Sequence, residues 1–131
     1  LVHTFHPCVD RVDIAVKAKV LTPGDAVFIH PLRFTELKYY GERSSYVSYK
    51  AVPLTKVEML KWHDRIKKLY GIGWTLSKPG DNTDEIAEKN YSALSRDKIN
   101  ELFKQGVSYI ITYKEQNLDY PVIAENVKYK M

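Results

Sequence analysis

The sequence predicts an α/β fold: three layers built on a mostly parallel sheet of about four strands, with flanking helices and a C-terminal antiparallel hairpin. Three observations carry that expectation. "AVFIH" at 26–30 and "VSYIITY" at 107–113 are short continuous apolar runs, the pattern of strands buried on both faces. Capped segments of helical periodicity separate them. "PVIAENVKYKM" at 121–131 can turn at Glu125-Asn126 and fold "VIA" against "VKYK".

In chain order, residues 9–20, "VDRVDIAVKAKV", admit two readings. Val9, Val12, Val16 and Val20 fit a helical stripe, whereas Val12, Ile14, Val16, Ala18 and Val20 fit the strict alternation of a strand. "LTPGD" then turns the chain into "AVFIH". Pro31 has no N–H to offer a ladder, so the strand stops at His30. "PLRFTELKYYG" at 31–41 reads as a short helix with Pro31 in its first turn. Leu32, Leu37 and Tyr40 face inward and Gly41 closes its end. "SSYVSYKAV" at 44–52 alternates as a second strand, expected beside "AVFIH" and opposite "VSYIITY". Thr55-Lys56-Val57-Glu58 is a capping box, followed by an inward face of Met59, Trp62, Ile66, Leu69 and Tyr70 and a stop at Gly71. A Gly-, Pro- and Asp-rich loop covers 71–84. Thr83 and Ser95 can cap two further helices, the second with Ile99, Leu102 and Phe103 inward and Gly106 at its end.

The chain has 131 residues, the size of one domain. Its apolar runs are too short to span a bilayer, and no signal-peptide pattern opens it. It starts at Leu1 rather than Met, and is expected to be a piece of something longer. Cys8 is a single cysteine and cannot form an internal disulfide. The net charge of +4 is modest and dispersed. The densest basic run, "RIKKLYG" at 65–71, reads as a solvated helix face rather than a nucleic-acid contact. Several of the ten tyrosines lie in alternating, strand-like runs that suit half-buried strands, and no ribonucleoprotein motif accompanies them.

No constellation announces catalysis. The sequence holds no G-x-G-x-x-G after a strand, no P-loop and no G-x-S-x-G elbow. His3 and His6 sit near Pro7 with no second ligand pair close by, so no metal or cofactor is expected. His63, on the capped helix, reads as half-exposed. In parallel sheets ligands sit beyond the carboxyl ends of the strands. His30 and Arg33 lie at one such end, and Lys50 and Lys114 lie at others. Arg33, Lys50 and Lys114 together would bring positive charge to a rim suited to an anion. The competing reading makes His30 a strand terminus and the cations ordinary surface.

Taken in order, "AVKAKVLTPGDAVFIHP", "LRFTELKYYGERSSYVSYKAVP", "EMLKWHDRIKKLYG", "GVSYIITYK" and "PVIAENVKYKM" resemble the soluble C-terminal tail of a family of bacterial polytopic membrane proteins. Those proteins are similar to multispanning glycosyltransferases that use lipid-linked sugars. The resemblance rests on Thr22-Pro23, Asp25-Ala26, Arg43-Ser44, Lys50, Pro53, Trp62, Arg65, Tyr109-Ile110-Ile111 and Glu125-Asn126. It implies a helix rather than a strand at 9–20. It further implies one domain over 1–131 that is membrane-attached on the extracytoplasmic, periplasmic side and packs on the transmembrane part of its own chain. The catalytic acids of such transferases sit in the membrane part, so this domain is expected to be a non-catalytic accessory that helps position a polar or sugar substrate. Its expected partners are that membrane part and a carbohydrate or lipid-linked sugar, not nucleic acid. Arg43 and Lys50 join His30, Arg33 and Lys114 as binding candidates, although strand direction places Arg43 and Lys50 at opposite ends of one strand. The alternatives are a free-standing small α/β enzyme and a cytosolic interaction module using a tyrosine-rich sheet.

Overall fold

The computed structural model describes residues 9–48, 53–72, 83–116, 118–126 and 128–131. The first segment is helical: α1 spans Val9–Leu21, as the resemblance implied and strand alternation did not. Its inward face is not the valine stripe. Ile14, Ala15 and Ala18 are buried, and Val9, Val16 and Val20 are exposed. Small residues on the inner face let a second helix approach closely, and α2 (Glu36–Gly41) does so. A Cβ on Gly41 would lie 2.9 Å from the Ala15 carbonyl oxygen. Gly41 therefore serves helix contact and is the last helical residue, while Glu42 takes the left-handed conformation that was expected of the glycine. Tyr40, expected inward, is exposed. The helix also starts five residues later than Pro31, at Glu36 with Thr35 before it, though Leu32 and Phe34 in the intervening stretch are buried.

Between these helices runs β1 (Val27–Ile29). It pairs in parallel with β2 (Ser44–Ser45) on one side and with β3 (Tyr109–Ile110) on the other, giving the order β2-β1-β3. The expected neighbours are thus in place, in a parallel sheet of three strands among the described residues. Much of the expected 44–52 strand lies outside β2, and residues 49–52 lie outside the described residues.

The run 107–113 is divided. After β3, Thr112–Tyr113 forms β4 and turns to an antiparallel partner, β5 (Tyr129–Lys130). On its other side the chain around β5 meets 123–125. The Ile123 N–H donates to the Met131 carbonyl at 3.0 Å, and the Met131 N–H donates to that of Ala124 at 2.9 Å. Asn126 closes the turn, its amide oxygen accepting from the N–H groups of Lys128 and Tyr129.

The remaining helices are α3 (Lys56–Tyr70), α4 (Thr83–Ser92) and α5 (Arg96–Lys104). Thr55 caps α3 by accepting from the Glu58 N–H, Ser95 caps α5 the same way from Lys98, and Gly71 ends α3 at φ +65°. Successive strand residues point opposite ways. Phe28 accordingly joins Ile14, Ala18 and Leu37 in one apolar cluster, and Ile29 joins Ile66, Tyr91 and Ile99 in another.

Candidate functional site at the carboxyl end of the parallel sheet

The chain leaves β1 toward β2 on one side, while β3 lies on the other. A crevice at such a reversal, beyond the carboxyl ends, is where ligands bind in open α/β sheets. A cleft of about 260 Å³ occupies this place. Its walls come from four regions: Arg11 on α1, Pro31 to Arg33 after β1, Asp84 and Glu88 on α4, and Tyr113, Lys128 and Tyr129 from the C-terminal strands.

Charge in the cleft is paired across elements. Arg33 donates through Nε to Asp84 Oδ2 at 2.7 Å and through a terminal nitrogen to Asp84 Oδ1 at 3.1 Å, the two-point geometry that a guanidinium offers a carboxylate. Asp84 lies in the first turn of α4, where the helix dipole favours an acid. Arg11 and Glu36 stand 3.5 Å apart, too far for a good hydrogen bond; Arg11 Nε and Glu36 Oε1 are both buried with no hydrogen-bond partner. Tyr113 donates its hydroxyl to Glu88 at 3.1 Å and stacks on Tyr129, with ring centroids 5.6 Å apart. Burial, then the Glu88 charge, pushes the Tyr113 phenol well up, and burial raises that of Tyr129. Both remain hydroxyls at neutral pH. The cleft thus offers an aromatic wall, hydroxyl groups and charges of nearly balanced sign, Arg11, Arg33 and Lys128 against Asp84 and Glu88.

His30, next to Pro31 in the chain, is 3 % exposed and does not line this cleft. Its Nδ1 is 2.8 Å from the Pro31 carbonyl and its Nε2 is 2.7 Å from Ser45 Oγ. A carbonyl only accepts, so Nδ1 carries the proton and Nε2 accepts from the serine hydroxyl. Burial pulls the imidazole pKa below 6.5, more than the Pro31 carbonyl raises it. Desolvation thus holds the ring in its neutral form. The His30 carbonyl is also taken, accepting from the Tyr70 hydroxyl at 2.5 Å.

Of the other candidates, Arg43 and Lys114 do not line the cleft. Arg43 closes the C-terminus of α1. It donates to the Lys19 and Thr22 carbonyls, both at 2.8 Å, and to the Thr22 hydroxyl at 3.1 Å. It does so beside a second cleft of about 450 Å³ that Ser44, Ser45 and Tyr39 also line. Lys114 lies 3.9 Å from Glu125 on the surface. Lys50 lies outside the described residues, as do His3, His6 and Cys8. Among the described residues no group of three or more His, Cys, Asp or Glu side chains is placed to hold a metal.

Sequence reasoning missed Arg11, Asp84, Glu88 and Ser45. Each meets its partner through tertiary structure, and nothing in the local sequence marks it. Two of the tyrosines play a part that was not anticipated. Tyr70 and Tyr91 are buried helix residues whose hydroxyls donate to the His30 and Ile111 carbonyls, both at 2.5 Å, satisfying backbone acceptors at the ends of the strands.

Comparison with known proteins gives one similarity. A family model described as "Domain of unknown function (DUF6798)" matches residues 10–69. The match runs from α1 nearly to the end of α3, and includes Arg11, Arg33 and Arg43 but none of α4 or the C-terminal strands. No curated protein matches, and no solved structure matches.

Proposed function

We propose that this chain is a non-catalytic, extracytoplasmic accessory domain of a multispanning bacterial membrane protein, similar to lipid-linked-sugar glycosyltransferases, in which the cleft helps position a polar or sugar substrate. The observation that carries the reading is the charge pairing of the cleft. A wall whose arginines and carboxylates face one another favours a neutral hydroxylated ligand over an anion, and a volume near 260 Å³ suits one sugar ring. The aromatic wall of Tyr113 and Tyr129 adds apolar surface for ring C–H groups. The ordered motifs of the sequence support the membrane context. The exposed valine face of α1 supports packing against the rest of the parent chain. No helix among the described residues is long and apolar enough to cross a membrane, so attachment rests on the parent chain. The proposal takes the architecture as three layers around about four strands, which the division of Phe28 and Ile29 between two apolar clusters supports.

A second reading, a free-standing small enzyme, has one observation in its favour: a serine hydroxyl donating to a histidine. The pair is a poor nucleophile and base. Burial destabilises the imidazolium that general-base catalysis must form, and the ring's other nitrogen meets a carbonyl rather than a carboxylate.

The test is topology in the full-length protein. A Lys104→Cys variant in a Cys8→Ser background is treated with a membrane-impermeant maleimide. The accessory-domain reading expects labelling in intact spheroplasts and recovery of the label in the membrane pellet. Labelling only after lysis, or recovery in the soluble fraction, sinks it.

A further inference from the structure

The start of α3 presents a feature that neither the core nor the cleft uses. Leu54 is 98 % exposed, Val57 63 % and Leu60 61 %. The buried side of the helix is Trp62, Ile66, Leu69 and Tyr70, so these three aliphatic residues stand on the side turned away from the core. Lys56, Lys61, Lys67 and Lys68 are exposed on the same helix, against exposed Glu58 and Asp64. Lys61 lies 3.6 Å from Glu58, which leaves the surface with a surplus of two positive charges. The basic run at 65–71 is thus one end of an amphipathic surface whose other end is an apolar tip.

We propose that this tip inserts into the surface of a bilayer carrying anionic phospholipid. The geometry favours lipid over a protein partner. A leucine that is almost wholly exposed can enter a deformable headgroup layer without a preformed pocket to receive it. The lysines supply the complement to phosphate. Their long apolar stems can lie along the acyl boundary while the ammonium groups stay in water. The inference deepens the membrane-attached reading and rests on it only for where the lipid comes from. A failed topology test leaves lipid binding by the chain intact, and a failed vesicle test leaves topology intact.

The experiment is co-sedimentation of the purified 131-residue chain with two kinds of vesicle: phosphatidylcholine alone, and phosphatidylcholine with about a third phosphatidylglycerol. Binding to the anionic vesicles is expected to exceed binding to the neutral ones by on the order of tenfold at low salt, and to weaken as salt rises. Leu54→Ser with Leu60→Ser, both on solvent-facing positions, is expected to lower it by on the order of tenfold with an unchanged circular dichroism spectrum. Lys67→Ala with Lys68→Ala is expected to abolish the preference for anionic lipid. Several results overturn the proposal: no binding to either vesicle, equal binding to both, full binding by the double-serine variant, or equal binding to duplex DNA. Self-association through the same leucines in sedimentation equilibrium overturns it as well.

Discussion

His30 uses both ring nitrogens inside the molecule, toward Pro31 and Ser45, and that fixes how stability depends on pH. In the unfolded chain the imidazole takes up a proton near pH 6.5; in the folded chain burial lowers that pKa. Stability is therefore fully present above pH 6.5 and falls as pH drops, because the unfolded state binds the proton first. The expected slope is about 1.4 kcal/mol per pH unit until the folded-state pKa is reached. Asp13 and Glu42 are also held below their ordinary values. The Asn126 amide is the main cause at Asp13 and Lys19 at Glu42, so they act in a lower, more acidic window. Melting temperatures between pH 7 and 5 should fall for the native chain and be nearly flat for His30→Gln; parallel curves would rule this out. At this scale the sequence was half legible. Pro31 announces the end of a strand through its missing N–H. Ser45 is not announced, because it reaches the imidazole only after the crossover from β1 to β2.

Helix boundaries were most legible where local chemistry decides them. Thr55, Ser95 and Gly71 act within a few residues of themselves, and each cap stands where the sequence placed it. The end of α2 was misread because Gly41 answers to α1 rather than to its own backbone. A direct expectation follows for Gly41→Ala. Helix propensity alone favours the alanine by about 1 kcal/mol. The Ala15 carbonyl 2.9 Å away is backbone and cannot step aside, although Leu37 Cδ1 at 3.1 Å can. Packing should win, with a net loss of about 1–3 kcal/mol in chemical denaturation. Gly24→Ala, whose Cβ would meet nothing within 4 Å, serves as the control and should change stability by a few tenths at most. The valine stripe of α1 was misread for a related reason: a period says that a helix has an apolar face, not which face the rest of the molecule covers. Here the smaller residues are inside because α2 lies so close.

Across the whole molecule, the middle place of β1 was legible because a continuous apolar run belongs there, whereas β3, drawn from an equally apolar run, stands at the edge of the parallel sheet among the described residues. The pairing of the cleft residues was not legible, since it joins residues far apart in the chain. Asn126 shows how much one such contact can hold. Its amide nitrogen donates to the Asp10 carbonyl at 2.8 Å and to the Asp13 carboxylate at 3.0 Å, while its oxygen holds the turn into β5. Asn126→Ala is expected to cost about 2 kcal/mol in urea unfolding, in one transition for the whole chain. Asn126→Asp should cost more, since it sets a second carboxylate against Asp13; the reverse order would refute this account of the contact. The divided run after α5 has a consequence of its own. Ser108 and Ile111 donate to β1 carbonyls and Lys114 donates to that of Lys128, so one stretch of backbone is stitched to both sheets. Neither seam can open without dragging the other, and Ile111 lies fully buried at the junction. In deuterated solvent the amides of Ile111 and Lys114 should therefore exchange at a common, slow rate set by global opening, making the two sheets a single cooperative unit despite their separate strand pairings.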